Sequence, residues 1–405
     1  MKKFTRFLAW SLTIALLTSA SILSAKDKKD KNKEEGYVFT PKIEIPCTPV
    51  KDQASSGTCW SFATTSFVES EIIRLGQASF DLSEMFFVHH AYSQKAIKYI
   101  RYQGMANFSE GGQAHDVMNL IGQYGLIPEE AYTGINYGLT YHRHGEMGAV
   151  MKGILDKSLE TKNGFSNKSL DVLDATLDIY LGKMPESFTY QGNTFTPKAF
   201  ATSLSFNPSD YFEFTSYQCY PFDTLVDLEI PDNWSHGKYY NIPIDELIQI
   251  MNYAFEHGHS VNWDGDVSEP GFSHNHGVAI IPESDPKNME ESERLKWEAL
   301  SEEEKSEMLF DFTKPRNEKT ITQEMRQKTF DKFQTTDDHL MHLVGTATDQ
   351  RGTNYFRTKN SWADDSNDFG GYLYMSEAYI RLKTIAIQVH KDAIPDSIKQ
   401  KLGLK

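Results

Sequence analysis

The sequence predicts an α+β protein of two lobes, one helical and one β-rich, each interrupted by a helical insertion. Three observations predict it. Apolar residues recur at helical spacing between residues 37 and 135, short runs of β-type composition bounded by turn residues recur between 246 and 390, and two polar, helix-biased stretches cover 136–245 and 283–335. With 405 residues, 39% hydrophobic and 13% aromatic, the chain can bury a substantial core in one large or two modest domains. That excludes wholesale disorder and a multi-pass membrane protein.

Residues 1–25 carry cations at Lys2, Lys3 and Arg6, an apolar run from Phe7 to Leu17, and small residues around Ala20 and Ala25. This is the layout of a secretory signal peptide cleaved at either alanine, with an uncleaved N-terminal anchor as the alternative. The expectation is export to a bacterial periplasm or exterior, without stable membrane insertion after cleavage. Residues 26–36 (KDKKDKNKEEG) form a charged linker.

After Cys59, residues Trp60, Ala63, Phe67, Val68, Ile72 and Leu75 cover half a helical wheel while Phe62 and Ile73 fall on the other side, predicting a helix buried nearly all round and stopped near Gly76. Leu82–Ile97 reads as a second helix capped by Asp81 or Ser83, and Ala114–Gly125 as a third closed by Gly125. The 136–245 stretch is expected to be a largely helical insertion, with an aromatic patch at Phe206–Tyr220 that fits no motif. Strands are expected at His259–Trp263, Gly277–Ile281, His339–Thr348, Asn354–Lys359 and Gly371–Met375. The charge-dense segment between Pro282 and Asp338 reads as a solvated excursion, helical over 283–335, and residues 391–405 as a short tail.

Forty-one Lys and Arg stand against 56 Asp and Glu, a balance of −15, and no basic tract could follow a phosphate backbone, so nucleic acid is not an expected partner. Three cysteines without a C-x-x-C pair are too few for a disulfide framework. Cys47 and Cys219 are either paired, as export permits, or two free thiols. The pairs His142/His144, His257/His259 and His274/His276 could chelate on a strand, but none is joined by an acidic residue in a recognised metal spacing, and neither metal nor organic cofactor is expected.

The segment QASSGTCW, Gln53 to Trp60, holds the first candidate chemistry. A thiolate is favoured at a helix start, where unpaired N–H groups and the dipole stabilise negative charge. Gly57 leaves room for a substrate backbone, and Gln53, six residues before Cys59, could donate to an oxyanion without titrating. On these eight residues alone, an inert buried cysteine is an equal alternative. A base and its orienter are found in DDHLMHLVGTATD and YFRTKNSWADD: His339 opens one expected strand and Asn360 ends the next, with Trp362 available to cover their hydrogen bond. His342, three residues on, points to the opposite face and reads as a core or surface histidine.

Together these pieces resemble the papain-like cysteine peptidases, and within them the bleomycin hydrolase and aminopeptidase C branch. Gln53, Cys59-Trp60, His339 and Asn360-Ser361-Trp362 stand in the family's order, and LSEMFF, EGGQAHDVMNLIGQYGLIPEEAY and HSVNWDGDV are similar to the branch's landmarks. The resemblance implies a two-lobe papain-like fold, hydrolysis of peptides or proteins through Cys59, His339 and Asn360 with Gln53 as oxyanion donor, substrate held along Gly111-Gly112, and homo-oligomerisation.

Glu110 and Ala363 depart from the branch's usual Asp and Gly. The branch also runs a C-terminal arm into its cleft to limit cleavage to the substrate's N-terminal end. Here 14 residues, Asp392 to Lys405, follow the last expected strand, which leaves aminopeptidase and endopeptidase modes both open. Asp337-Asp338 could replace the arm's carboxylate, with Asp338 beside the base as a substrate-binding candidate; a solvated strand cap is the alternative.

Overall fold

The computed structural model describes residues 36–161, 166–289 and 291–404. The expected signal peptide and all but the last residue of the charged linker lie outside the described residues.

Along the chain run β1 (Thr40–Glu44), α1 (Cys59–Arg74), α2 (Glu84–Arg101), α3 (Ala114–Tyr124), α4 (Gly145–Leu159), α5 (Asn167–Leu181), β2 (Phe188–Tyr190), β3 (Asn193–Phe195), α6 (Pro197–Ser203), β4 (Tyr211–Thr215), β5 (Thr224–Asp227) and β6 (Lys238–Asn241). They are followed by α7 (Ile244–Glu256), β7 (Val261–Gly265), β8 (Phe272–Ser273), β9 (Val278–Ala279), α8 (Glu291–Glu298), α9 (Glu302–Leu309) and α10 (Gln323–Asp331). The last elements are β10 (His339–Thr348), β11 (Asn354–Lys359), β12 (Tyr372–Ser376), α11 (Glu377–Lys383), β13 (Thr384–His390) and α12 (Asp396–Leu402).

The main sheet has the order β5-β6-β4-β13-β7-β10-β11-β12-β9-β8, with β1 also pairing β10. Helix α1 lies on one face of β10 and β7, where Leu340 joins the core around Trp60 and His342 meets Ser66. On the other face, Met341, Leu343, Trp263, Ile387 and Val389 pack with α7 and with Ile394 and Ile398 from the C-terminal segment. Strand alternation sends successive side chains to the two faces, so the order Leu340, Met341, His342, Leu343 feeds both.

Helices α1 to α3 form where their apolar spacing predicts. Ser83 caps α2 by accepting the Phe86 N–H, and α3 ends at Gly125, whose φ of 96° is a backbone state glycine adopts without strain. Fourteen residues of α1 are buried, which is why polar Thr64, Ser66 and Glu69 each need, and find, a buried partner.

Two expectations need correction. The 136–245 stretch is helical in its first half, but residues 211–241 supply β4, β5 and β6 to the main sheet. The aromatic patch contains β4, whose alternation puts Phe214 in the core shared with α7 and Glu213 on the α1 side. The excursion before β10 is docked rather than solvated at α10, where fully buried Arg326 donates to the carbonyls of Ser216 and Arg381. The strand before the short tail is β13, TIAIQVH, which lies at the centre of the sheet.

Candidate active site

Cys59 is the first residue of α1, preceded by Thr58, with no acidic residue in the first helical turn. The backbone N–H of Leu340, the residue after His339, favours the Cys59 thiolate, and Trp60 and Leu340 share one core, so the helix start and the strand start converge. His339 is 4% exposed. Its Nε2 lies 2.8 Å from Asn360 Oδ1. The same Oδ1 accepts the Ser361 N–H at 2.8 Å, which fixes the amide with its oxygen toward the ring. Nε2 therefore carries the proton, and Nδ1, which has no hydrogen-bond partner among the described residues, holds the free lone pair. Trp362 covers the imidazole at a ring separation of 5.0 Å.

Burial pushes the Cys59 thiol up to about 12, with Asp264, Asp337 and Asp232 adding to the rise. Burial likewise pushes the His339 imidazole down to about 4, against the Asn360 hydrogen bond that favours its charged form. Both shifts favour the neutral forms, so the expected thiolate–imidazolium pair requires a proton to move from sulfur to Nδ1.

Gln53 is tied to the same strip. Its N–H donates to the Ser361 carbonyl at 2.9 Å, and its Oε1 accepts the Ser361 hydroxyl at 2.6 Å. Its Nε2 donates one hydrogen to Ser56 O at 2.8 Å, leaving the second. Gly57 does not leave room for a substrate: Glu110 fills that space, accepting the Gly57 N–H at 2.5 Å, and a Cβ there would meet Glu110 at 2.8 Å. Gly112 packs on Trp60, yet neither its N–H nor its C=O has a partner among the described residues. Gly111 is covered by the carboxylate of Asp232.

Asp338 lies beside the base in sequence but serves as a cap, accepting from Thr336 Oγ1 at 2.7 Å and from the N–H groups of Val267 and Ser268 at 3.3 and 3.2 Å. Asp337 turns the other way and accepts from Gln113 Nε2 at 3.0 Å. His342 is fully buried, bonded to Ser66 Oγ at 2.9 Å, with its imidazole held well below the usual range by burial and then by Lys359. It is a core residue.

Sequence reasoning missed His274 in this role: Asn360 Nδ2 donates to its Nδ1 at 3.3 Å, and Ser366 anchors its Nε2 at 2.7 Å. Nothing local to SHNH signals that; only the fold brings it to Asn360. His276 bonds Ser273 instead. Among the described residues, ligating atoms of Glu71, His259 and His390 lie within 4.8 Å of one another. Arg74 already donates to Glu71 at 2.9 Å, and His390 Nδ1 accepts the Asp392 N–H, so charge and lone pair there have partners. All three cysteines are free, with Cys47 against Tyr372 Oη and Cys219 exposed.

Known proteins match this arrangement in sequence and in fold. The model of the papain family cysteine proteases matches residues 40–171, which carry Gln53 and Cys59, and that of the peptidase C1-like family matches 302–404, which carry His339 and Asn360. Cysteine proteinase 1, mitochondrial, of Saccharomyces cerevisiae is 28% identical over 160 residues, 35% of this chain. The match spans about a third of that relative's length (33%). Bleomycin hydrolase of Rattus norvegicus is 22% identical over 418 residues, 89% of this chain and 84% of the relative, and that of Mus musculus is also 22% identical, over 419. The crystal structure of PepW from Lactobacillus rhamnosis HN001 shares the fold at a TM-score of 0.67, covering 98% of this chain and 95% of that one at 16% identity. The two family models thus fall on the two halves of one convergent site, and the chain is similar to the papain-like cysteine peptidases there and to the bleomycin hydrolases along nearly its whole length.

Proposed function

We propose that the protein hydrolyses peptide bonds in peptide or protein substrates with Cys59 as nucleophile, His339 as base and acid, and Asn360 as the group that orients the imidazole. The single observation that carries the reading is the convergence of the Cys59 sulfur, at a helix start, with the backbone that follows His339, while Asn360 Oδ1 holds Nε2 and leaves Nδ1 free.

The thiol proton passes to Nδ1 as sulfur bonds to the scissile carbonyl carbon. The second Nε2 hydrogen of Gln53 and the Cys59 N–H stabilise the oxyanion. Nδ1 then returns the proton to the leaving amine, and water, deprotonated at the same nitrogen, releases the acyl group. The free N–H and C=O of Gly112 suit the backbone of an extended peptide. Trp362 keeps water from the Nε2 to Oδ1 hydrogen bond.

Aminopeptidase action is the favoured mode, after the branch. The described C-terminal residues pack elsewhere: α12 lies on the face of the sheet away from Cys59, with Leu402 and Leu404 against the α7 core and Lys401 paired with Asp223 and Glu246. Export follows from residues 1–25, and no described helix is long and apolar enough to cross a membrane. Homo-oligomerisation is retained from the branch.

The test is peptide hydrolysis by the purified protein. Activity is expected to survive EDTA, to vanish with iodoacetamide and to be absent in Cys59→Ala, and Gln53→Ala is expected to lower kcat by about 10²–10³. Hydrolysis by folded Cys59→Ala would overturn the reading.

A further inference from the structure

We infer that Asp232, with Asp337 and Asp264 beside it, is the anchor for the free α-ammonium of a peptide substrate and closes the cleft beyond that point. This rests on the peptidase reading above and names how the substrate's end is recognised.

Asp232 sits in the turn before β6 and folds back onto the segment that leads into α3. Asn107 Nδ2 and Ser109 Oγ donate to its Oδ1 at 3.0 and 3.1 Å. Its Oδ2 has no donor among the described residues and lies so close over Gly111 that a Cβ there would come within 1.8 Å. Gly111 therefore makes room for a carboxylate, not for a passing peptide. The free backbone groups of Gly112 adjoin Gly111 in the chain, so a peptide bound to them would lie beside Asp232. What fits against it is a chain end.

Behind Asp232 lie two more buried carboxyls, both held toward their neutral forms. Asp264 is 3% exposed and neither of its oxygens has a hydrogen-bond donor. It stands opposite Leu340 on the neighbouring strand, the residue whose N–H favours the Cys59 thiolate. None of the three aspartates has an ion pair among the described residues. The cation whose charge reaches Asp232 is Lys95, and its ammonium is already held by the carbonyls of Ser109 and Gly111, over the rings of Trp60 and Trp234. Burial, and then repulsion between Asp264 and Asp337, holds the Asp264 carboxyl above its usual range, and a bound ammonium would relieve that repulsion.

A carboxylate at this place does what a C-terminal arm does elsewhere in the branch, from a different part of the chain. Asp338, the residue adjacent to the base, is not involved, because backbone N–H groups already occupy it.

The experiment compares one fluorogenic peptide with its N-acetylated form on the full protein and on Asp232→Asn and Asp337→Asn, with epoxide labelling of Cys59 reporting an intact nucleophile in each. The protein is expected to favour the free amine, and Asp232→Asn to reduce the kcat/KM ratio of free to acetylated substrate at least about tenfold while Cys59 still labels. Equal rates on both peptides in the unsubstituted protein, an unchanged ratio in Asp232→Asn, or a preference that follows a Lys or Arg side chain instead of the free amine would overturn the inference. Cleavage with the wrong preference removes the anchor alone; absence of both cleavage and labelling removes the peptidase reading with it.

Discussion

The two faces of the central sheet are built from the same strands and differ in almost every other respect. Toward α7, the residues Trp263, Met341, Leu343, Ile387 and Val389 are apolar and almost fully buried. Toward α1, the intervening residues are Asn262, Asp264, His342, Gln388 and Glu213. Each of these is also buried, and Asn262 Oδ1, both Asp264 oxygens, His342 Nε2 and Gln388 Oε1 lack partners. Burying polar groups without partners costs stability, whereas burying apolar area supplies it. The α7 face therefore holds the fold together, and the α1 face carries charge and polarity to where Cys59 and His339 meet.

Substitutions on the two faces separate stability from chemistry. On the α7 face, Leu343→Ala, at a site with no exposure, is expected to cost about 2–5 kcal/mol of stability. Its kcat per folded molecule is expected to be unchanged, checked by urea unfolding and active-site titration. A comparable fall in kcat would mean the α7 face also shapes the site.

The α1 face is expected to show itself in pH dependence. Burial raises the Asp337 carboxyl to about 7 and the Asp264 carboxyl well above its usual range. Folding thus disfavours their ionised forms: their contribution to stability is full below about pH 4 and is lost as pH rises toward 7. Asp264→Asn removes one of the two charges and is expected to flatten the fall in urea midpoint across that window. An unchanged slope would mean that the pair is neutralised in some other way.

The smallest effect belongs to the turn after Trp362, outside both faces. Ala363 has φ of 67°, a left-handed state that favours glycine, and this explains why glycine is usual there in the branch. Ala363→Gly is expected to raise stability by about 1 kcal/mol, read from thermal melting. No gain would mean that the turn is relaxed.

The apolar face and the nucleophile were legible in the sequence for the same reason: their signals are local. Apolar spacing in α1, Ser83 before α2 and Gly125 after α3 are read within a few residues, and Cys59 with Gln53 or Asn360 with Trp362 are short motifs. The anchor was not legible, because Asp232, Asp264 and Asp337 come from three segments joined only by sheet pairing and by the turn over Gly111. The nearest sequence reading was the pair Asp337-Asp338 with Asp338 singled out, whose neighbour in the chain is the base but whose partners in space are two backbone amides and the Thr336 hydroxyl. Strands β4 to β6 were hidden because aromatic side chains at both polar and apolar positions blur a period of two.

The claim on which the rest depends is that His339 activates Cys59. Its most direct measurement is the pH dependence of iodoacetamide labelling in the folded protein and in His339→Ala, with the labelled cysteine identified by mass spectrometry. The account predicts that Cys59 reacts faster than exposed Cys219 at neutral pH, and that this advantage disappears in folded His339→Ala. Labelling of Cys219 ahead of Cys59 in the unsubstituted protein, or an undiminished Cys59 rate in His339→Ala, would contradict it.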